Sequence, residues 1–360
     1  MIGTLVFILI LSLLIVVHEF GHFIAARIAG VRVEEFSLGF GPQLFAKKIG
    51  DTKYSLSLIP LGGYVKMAGD NLSECKGKAD EYFSKSPGRR FQIIFCGPLL
   101  NYILGFLFFW IILITGYPTL TTKVGGLIDG YGAKIAGLQV ADKIIAINGQ
   151  NVNSWEDLQN QIQKNRTKDS VELWLMRNDQ KLKFTVGIKG KVLDNQLGEQ
   201  KTLGIIGITP FDEVIQVKHG LIASAYLGLE KTFNLTVMTY KGIWRLASGK
   251  MSMRDSMTGP LGIFFITSKA AKLGLTAVMH LVAVLSVSLA VFNLLPLPIL
   301  DGGHIFLLGL EKLRKKTIGI KTEQVINNIG LSLMIMLALF VTYNDILRLY
   351  GEKITKLVGK

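Results

Sequence analysis

The chain has 360 residues, of which 49% are apolar, and a formal charge of +14. That combination is not the composition of an ordinary soluble domain. Nor does the charge point to nucleic acid, because Lys and Arg concentrate in two patches beside apolar runs, 27–90 and 312–321. Such patches fit membrane orientation and attraction to lipid headgroups.

The first apolar run, Thr4–Ala26, is long enough to cross a bilayer, which takes about 20 residues. No Lys or Arg precedes it and no small-residue cleavage site follows, so it reads as an anchor rather than a signal peptide. Inside it lies HEFGH, residues 18–22. Residues i and i+4 share one helix face, so His18 and His22 can reach a single ion through their ring nitrogens. Glu19 can reach a water on that ion. Two imidazoles and a carboxylate at this spacing are the zincin arrangement, with zinc as metal and Glu19 as base. Unpaired ionisable groups in hydrocarbon cost several kcal/mol and are functional by default.

Residues 31–91 form a basic cytosolic or re-entrant region. Within it KYSLSLIPLGGYVKMAG alternates as a strand at Tyr54, Leu56 and Leu58, then breaks at Pro60 and Gly62-Gly63. An ordinary hairpin under the helices is the plain alternative. A second span covers 92–116. Cys75 and Cys96 lack disulfide or metal-site spacing.

Residues 117–190 read as one α+β module. KVGGLI and KIIAING suggest strands, Ser154 with Asp157 forms a capping box, and VELWLMRNDQKLKFTVGI alternates as a hairpin. Linker and interfacial helices fill 191–275. Within them 219–250 is amphipathic, with Trp244 beside Arg245, and suits the headgroup boundary better than a fifth span.

The third membrane segment, 276–304, ends in NLLPLPILDGGH. Pro296 and Pro298 break the helix ladder, and irregular backbone at membrane depth is tolerated only where protein buries it or a wet cavity adjoins it. Asp301 is the first acidic residue there and reaches the same leaflet as His18 and His22, which makes it the preferred third ligand. His304, one turn on, is its rival. A cytosolic loop, 305–325, and a fourth helix with tail, 326–360, follow. Positive loops stay inside, so residues 120–270 and both chain ends are expected outside.

HEFGH and NLLPLPILDG together resemble the paired motifs of the site-2 protease family of intramembrane zinc metalloproteases. FSLGFGP (36–42), FCGPLLNYILG (95–105), the module at 121–188 and TGPLGI (258–263) follow in that family's order, so the resemblance spans most of the chain. It is nearest to the bacterial sigma-E-regulating branch, in a version with a single PDZ-like domain. The module's GAKIAGLQVADKI carries Ala141 where PDZ domains usually have Gly.

The implied architecture is a polytopic α-helical membrane protein of about four transmembrane helices. It adds a cytosolic-side, membrane-associated β-loop and one extracytoplasmic PDZ-like α+β domain. The resemblance makes His18, His22 and Asp301 ligands of Zn2+, Glu19 the catalytic base, and Asn293, Gly62 and Gly63 contacts of the substrate backbone. It implies cleavage of transmembrane segments in the bacterial inner membrane, near the cytoplasmic face. Expected substrates are single-span proteins already shortened by another protease, such as anti-sigma factors or signal-peptide remnants. The PDZ-like module would bind a chain end or exclude large outer domains. No nucleic-acid partner is expected. A zinc transporter and a PDZ-based membrane adaptor are the alternatives.

Overall fold

The computed structural model describes residues 2–194, 200–252, 256–315 and 319–358. Residues 195–199, 253–255 and 316–318, within the expected linker and cytosolic loop, lie outside the described residues. The chain divides into two compact units. One comprises 1–110, 226–246 and 252–360; the other comprises 111–225 and 247–251.

Four helices in the described residues are long and apolar enough to cross a membrane. They are α1 (Ile2–Ile28), α2 (Pro87–Thr115), a helix over Leu275–Asn293, and the apolar part, Gln324–Leu349, of the last helix. Large apolar side chains such as Leu5, Leu9, Ile335 and Leu339 are exposed on them. A soluble protein rarely exposes so much contiguous apolar surface, and lipid contact accounts for it. The helices meet through small apolar clusters: Ile10, Leu14 and Val282 in one, and Phe109, Ala283, Val287 and Val291 in another.

Between α1 and α2 the chain forms two long strands, β1 (Val33–Ile49) and β2 (Thr52–Met67). The register is not that of a plain hairpin. The end of β1 pairs with the start of β2 (Ile49↔Thr52, Phe45↔Leu56), whereas its beginning pairs with the end of β2 (Val33↔Met67, Leu38↔Gly63). Glu35–Leu38 also face Lys53–Leu56, so the first part of β1 is flanked on both sides. That leaves Gly63–Met67 as an outer strand. The far end of the loop exposes Leu44, Phe45, Ile49 and Leu58.

The second unit contains strands β3 (Tyr117–Leu120), β4 (Val124–Leu127), β5 (Lys143–Ile147), β6 (Gln150–Asn151), β7 (Ser170–Arg177) and β8 (Gln180–Gly187). A short helix, α3 (Gly132–Ile135), precedes β5, and α4 (Trp155–Lys164) follows β6. Four strands make one sheet in the order β6-β5-β7-β8. The β7–β8 turn at Asn178-Asp179 has positive φ at both residues, as a tight hairpin requires. Helix α4 starts with the expected capping box: Ser154 Oγ accepts from the Asp157 backbone N–H, and the Asp157 carboxylate accepts from the Ser154 N–H. Ile144, Ile147, Leu158, Leu173 and Leu175 form the core.

The turn before β5 carries Ala141, which adopts a backbone conformation that favours glycine. Ala141 has φ +74°, a conformation that costs a non-glycine residue roughly 1–2 kcal/mol. Neighbouring contacts hold it there. The Ala141 N–H donates to the Val124 carbonyl, and Arg177 donates twice to the buried Asp142 carboxylate, at 2.7 Å each.

Residues 219–250, expected at the headgroup boundary, are one helix, α5 (Leu221–Ala247), which is not among the four apolar enough to cross. It is followed by α6 (Pro260–Leu273) and α7 (Leu275–Asn293). The third apolar segment stops being helical at Asn293, ahead of both prolines. Residues 294–300 are irregular, and α8 (Asp301–Arg314) begins at the aspartate itself. The last helix is α9 (Ile320–Val358). It fastens α6 at a distance in sequence, because the buried Asp345 carboxylate accepts from the Gly259 and Gly262 N–H groups at 3.1 and 2.8 Å. These are orphan donors of a helix start, which a carboxylate satisfies well.

Two stability changes follow. Replacing the strained alanine, Ala141→Gly, is expected to stabilise the module by about 1 kcal/mol, seen as slower hydrogen exchange of β5 and β7 in the detergent-solubilised chain. Asp345→Ala leaves the buried Gly259 N–H and the half-buried Gly262 N–H unpaired and is expected to cost about 1–3 kcal/mol, seen as a lower thermal unfolding midpoint.

Candidate metal centre

The centre assembles from two helices of the first unit. Helix α1 contributes His18 and His22, one turn apart on one face and both about nine-tenths buried. Helix α8 contributes Asp301 as its first residue. The two imidazole Nε2 atoms lie 3.2 Å apart; Asp301 Oδ2 is 3.1 Å from His18 Nε2, and Asp301 Oδ1 is 3.5 Å from His22 Nε2.

Those separations fit a metal. Ligand atoms about 2.0–2.2 Å from a tetrahedral zinc lie roughly 3.3–3.5 Å from one another. Asp301 Oδ2 is buried and has no hydrogen-bond partner. Two imidazole lone pairs and a carboxylate facing one point in apolar surroundings repel one another unless a cation sits among them. The residues present therefore suit zinc, with three protein ligands. Among the described residues this is the one group of three or more such side chains that converges. The sequence left His304 as a rival to Asp301. His304 is not part of the converging set; it lines the adjoining cavity.

Close backbone packing brings α2 against the histidines. A Cβ on Gly21 would stand 2.2 Å from the Cys96 carbonyl oxygen, and one on Gly97 would stand 2.3 Å from His22 Nε2. No larger residue fits at either place. His22 Nδ1 bonds the Ile93 carbonyl at 2.9 Å. A ring that donates through Nδ1 presents Nε2 as a lone pair to the metal position. On the other ring, Asn101 Nδ2 lies 3.3 Å from His18 Nδ1.

The segment before Asp301 is strained. Ile299, a β-branched residue, has φ +74°, which such residues rarely adopt. Gly302 and Gly303 let the loop fold onto the start of α8, since a Cβ on either would lie 2.1–2.3 Å from backbone of Leu294 or Leu297. Strain of this kind persists only where surrounding structure enforces it, and it clusters at functional sites. Here it sets the direction in which Asp301 leaves the helix start.

Asn293, the last residue of α7, brings its side-chain amide to 3.5 Å from both nitrogens of His18. Gly63 lies on the outer strand beside α1: a Cβ there would be 2.8 Å from the Ser37 carbonyl oxygen and 3.4 Å from Glu19 Cγ. Gly62, at φ +131°, makes the turn into that strand against the Phe40 ring. Glu19, with His22, Val65 and Asp301, lines a cavity of about 290 Å³. Its farther wall carries Arg90, which pairs at 2.7 Å with Glu311, both buried.

Of the residues singled out in the sequence, His18, His22 and Asp301 converge, Asn293 reaches His18 and Gly63 lies beside Glu19, whereas Gly62 packs on Phe40. Sequence reasoning missed Gly21, Gly97, Ile93 and Asn101. The stretch FCGPLLNYILG was legible as a motif, but nothing in its spacing says that Gly97 and Asn101 touch the histidines.

Comparison with known proteins gives the chain's family. The family model described as peptidase family M50 matches residues 6–337. The Campylobacter jejuni protein Cj1068 is 34% identical over 353 residues, covering 96% of this chain and 93% of its own. Zinc metalloprotease RasP of Bacillus licheniformis is 29% identical over 428 residues, covering 96% and 99%. A solved PDZ domain, from an SdrC-like protein of Listeria monocytogenes, covers 27% of this chain and 90% of its own at 21% identity, with a TM-score of 0.21. That score is too low to establish a shared fold. The likeness of residues 121–188 to a PDZ module rests on their own sequence signature. From the family match over most of its length, the chain belongs to peptidase family M50, the site-2 protease family, and is a multi-pass membrane zinc metalloprotease.

Proposed function

We propose that His18, His22 and Asp301 hold the zinc and that Glu19 is the catalytic base of an endopeptidase acting on transmembrane segments of other proteins. The observation that carries this reading is the convergence of those three ligand atoms, at tetrahedral spacing, on a cavity that Glu19 also lines. When bound, zinc supplies the Lewis acidity that peptide hydrolysis requires. Glu19 takes the proton of the attacking water and returns it to the leaving amine. The cavity's polar walls, with Asp70, Arg90 and Glu311, give water a place to stand beside an otherwise apolar site.

A transmembrane helix bonds its own amides and must unwind before hydrolysis. The outer strand at Gly63–Met67 supports capture of the unwound segment by main-chain pairing. Gly63 presents bare backbone next to Glu19, and Asn293, beside His18, supplies an amide for the substrate's carbonyl or N–H. Gly62 turns the chain into that strand.

The basic patches support a reading with the β-loop and metal centre toward the cytoplasmic side of the bacterial inner membrane and the PDZ-like module on the outer side. Substrates are then single-span proteins already trimmed outside, such as anti-sigma factors or signal-peptide remnants. The module either binds the trimmed end or excludes bulky outer domains. A zinc transporter would need metal sites in series through the bilayer, and a PDZ-based adaptor has no use for a base beside the metal ligands.

The test is incubation of detergent-solubilised protein with single-span peptides, followed by product mass spectrometry and metal analysis. Glu19→Gln is expected to retain zinc while cleavage falls about 10²–10⁴-fold. His22→Ala is expected to lose both. Unchanged turnover by Glu19→Gln would exclude Glu19 as the base, and cuts confined to soluble loops would exclude the substrate class.

A further inference from the structure

The two histidines are supported differently, and the difference assigns a role to Asn101. This inference rests on the ligand set proposed above. His22 has a backbone carbonyl, Ile93 O, at 2.9 Å from Nδ1, which fixes the ring with Nε2 bare. His18 has no such carbonyl among its recorded partners. Its Nδ1 faces the Asn101 side chain at 3.3 Å, and its Nε2 faces His22 and Asp301.

A histidine that gives Nε2 to a metal keeps its proton on Nδ1, and that N–H needs an acceptor. Asn101 is fully buried on α2, and its Oδ1 has no hydrogen-bond partner. The Asn101 amide in contact with His18 is the donor end, Nδ2, which suits the opposite tautomer. Turning the amide over about its Cβ–Cγ axis costs Oδ1 no existing bond. It brings Oδ1 to the His18 N–H. The main chain is pinned independently, because Ser286 Oγ donates to the Asn101 carbonyl at 2.8 Å, tying α2 to α7.

We propose that Asn101 is a positioning residue for the metal centre: its Oδ1 accepts the His18 Nδ1–H in the zinc-bound chain, fixing that ring's tautomer as Ile93 fixes the other. Asn293 also approaches His18, but at 3.5 Å from both ring nitrogens its amide addresses neither in particular. It is left for the substrate.

The chemistry predicts an asymmetric response to two substitutions of similar volume. Asn101→Asp retains an acceptor; Asn101→Leu keeps the shape and removes it. Zinc affinity, measured on the full detergent-solubilised chain by competition with a chromophoric chelator at fixed pH, should stay within a few-fold of the parent in Asn101→Asp. It should fall about 10–100-fold in Asn101→Leu. Parental affinity in Asn101→Leu, or equal losses in both variants, would overturn the proposal. A measurement on the unsubstituted chain stands independently of folding: ¹⁵N spectra of labelled histidine in the zinc-loaded protein should show Nδ1–H on both His18 and His22. An Nε2–H signal from His18 would also overturn it. His18→Ala separates the two readings. If it binds zinc normally, the ligand set itself fails; if it loses zinc while Asn101→Leu does not, only the role of Asn101 fails.

Discussion

Two imidazoles and a carboxylate that converge inside an apolar helix packing suit a cation held between them and must be held at one point. That constraint organises the whole first unit. Its members come from sequence positions about 280 residues apart, so helices α1 and α8 must meet at one depth with little freedom. The means of meeting are backbone features rather than side-chain bulk. Gly21 and Gly97 let α1 and α2 approach until a single added carbon would collide. Gly302 and Gly303 let the irregular segment fold back so that Asp301 opens a helix and faces the histidines. In hydrocarbon, small residues are the usual route to such close approach.

A metalloprotease centre must be reachable by water and by a peptide. The fold answers both demands on one side of α1. The outer strand of the β-loop lies along the helix at Glu19, and a cavity opens beside it with the buried Arg90–Glu311 pair on its wall. Buried ion pairs of this kind are weak stabilisers after desolvation. Their presence next to a reaction site is better understood as keeping a polar pocket wet than as holding helices together.

Much of this was legible in the sequence because chemistry in a membrane is conspicuous. Charged or imidazole groups at His18, Glu19, His22 and Asp301 interrupt apolar runs, and helical periodicity alone pairs the first three. Pro296 and Pro298 signalled the broken segment, although the helix ends earlier, at Asn293. The Ser154–Asp157 capping box was readable because it is local. What was not legible depends on contacts between distant segments. Asp301 was already preferred over His304 on its depth, but the helix start that aims it, with the strained Ile299 and the two glycines, was not readable. The split pairing of β1 could not be read from alternation, since period-two patterning gives faces but not partners. Asn101 looked like one more polar residue in a span until its neighbour proved to be His18. Asp345 was likewise invisible, because its partners lie more than 80 residues away.

X-ray absorption spectroscopy at the zinc edge tests the central claim most directly, since it counts ligands by element without any substitution. The structure predicts a first shell of nitrogen and oxygen at about 2.0–2.2 Å with outer scattering from two imidazoles and no sulfur. A thiolate in the shell, or scattering from three imidazoles, would contradict the shared grip of α1 and α8 on one ion.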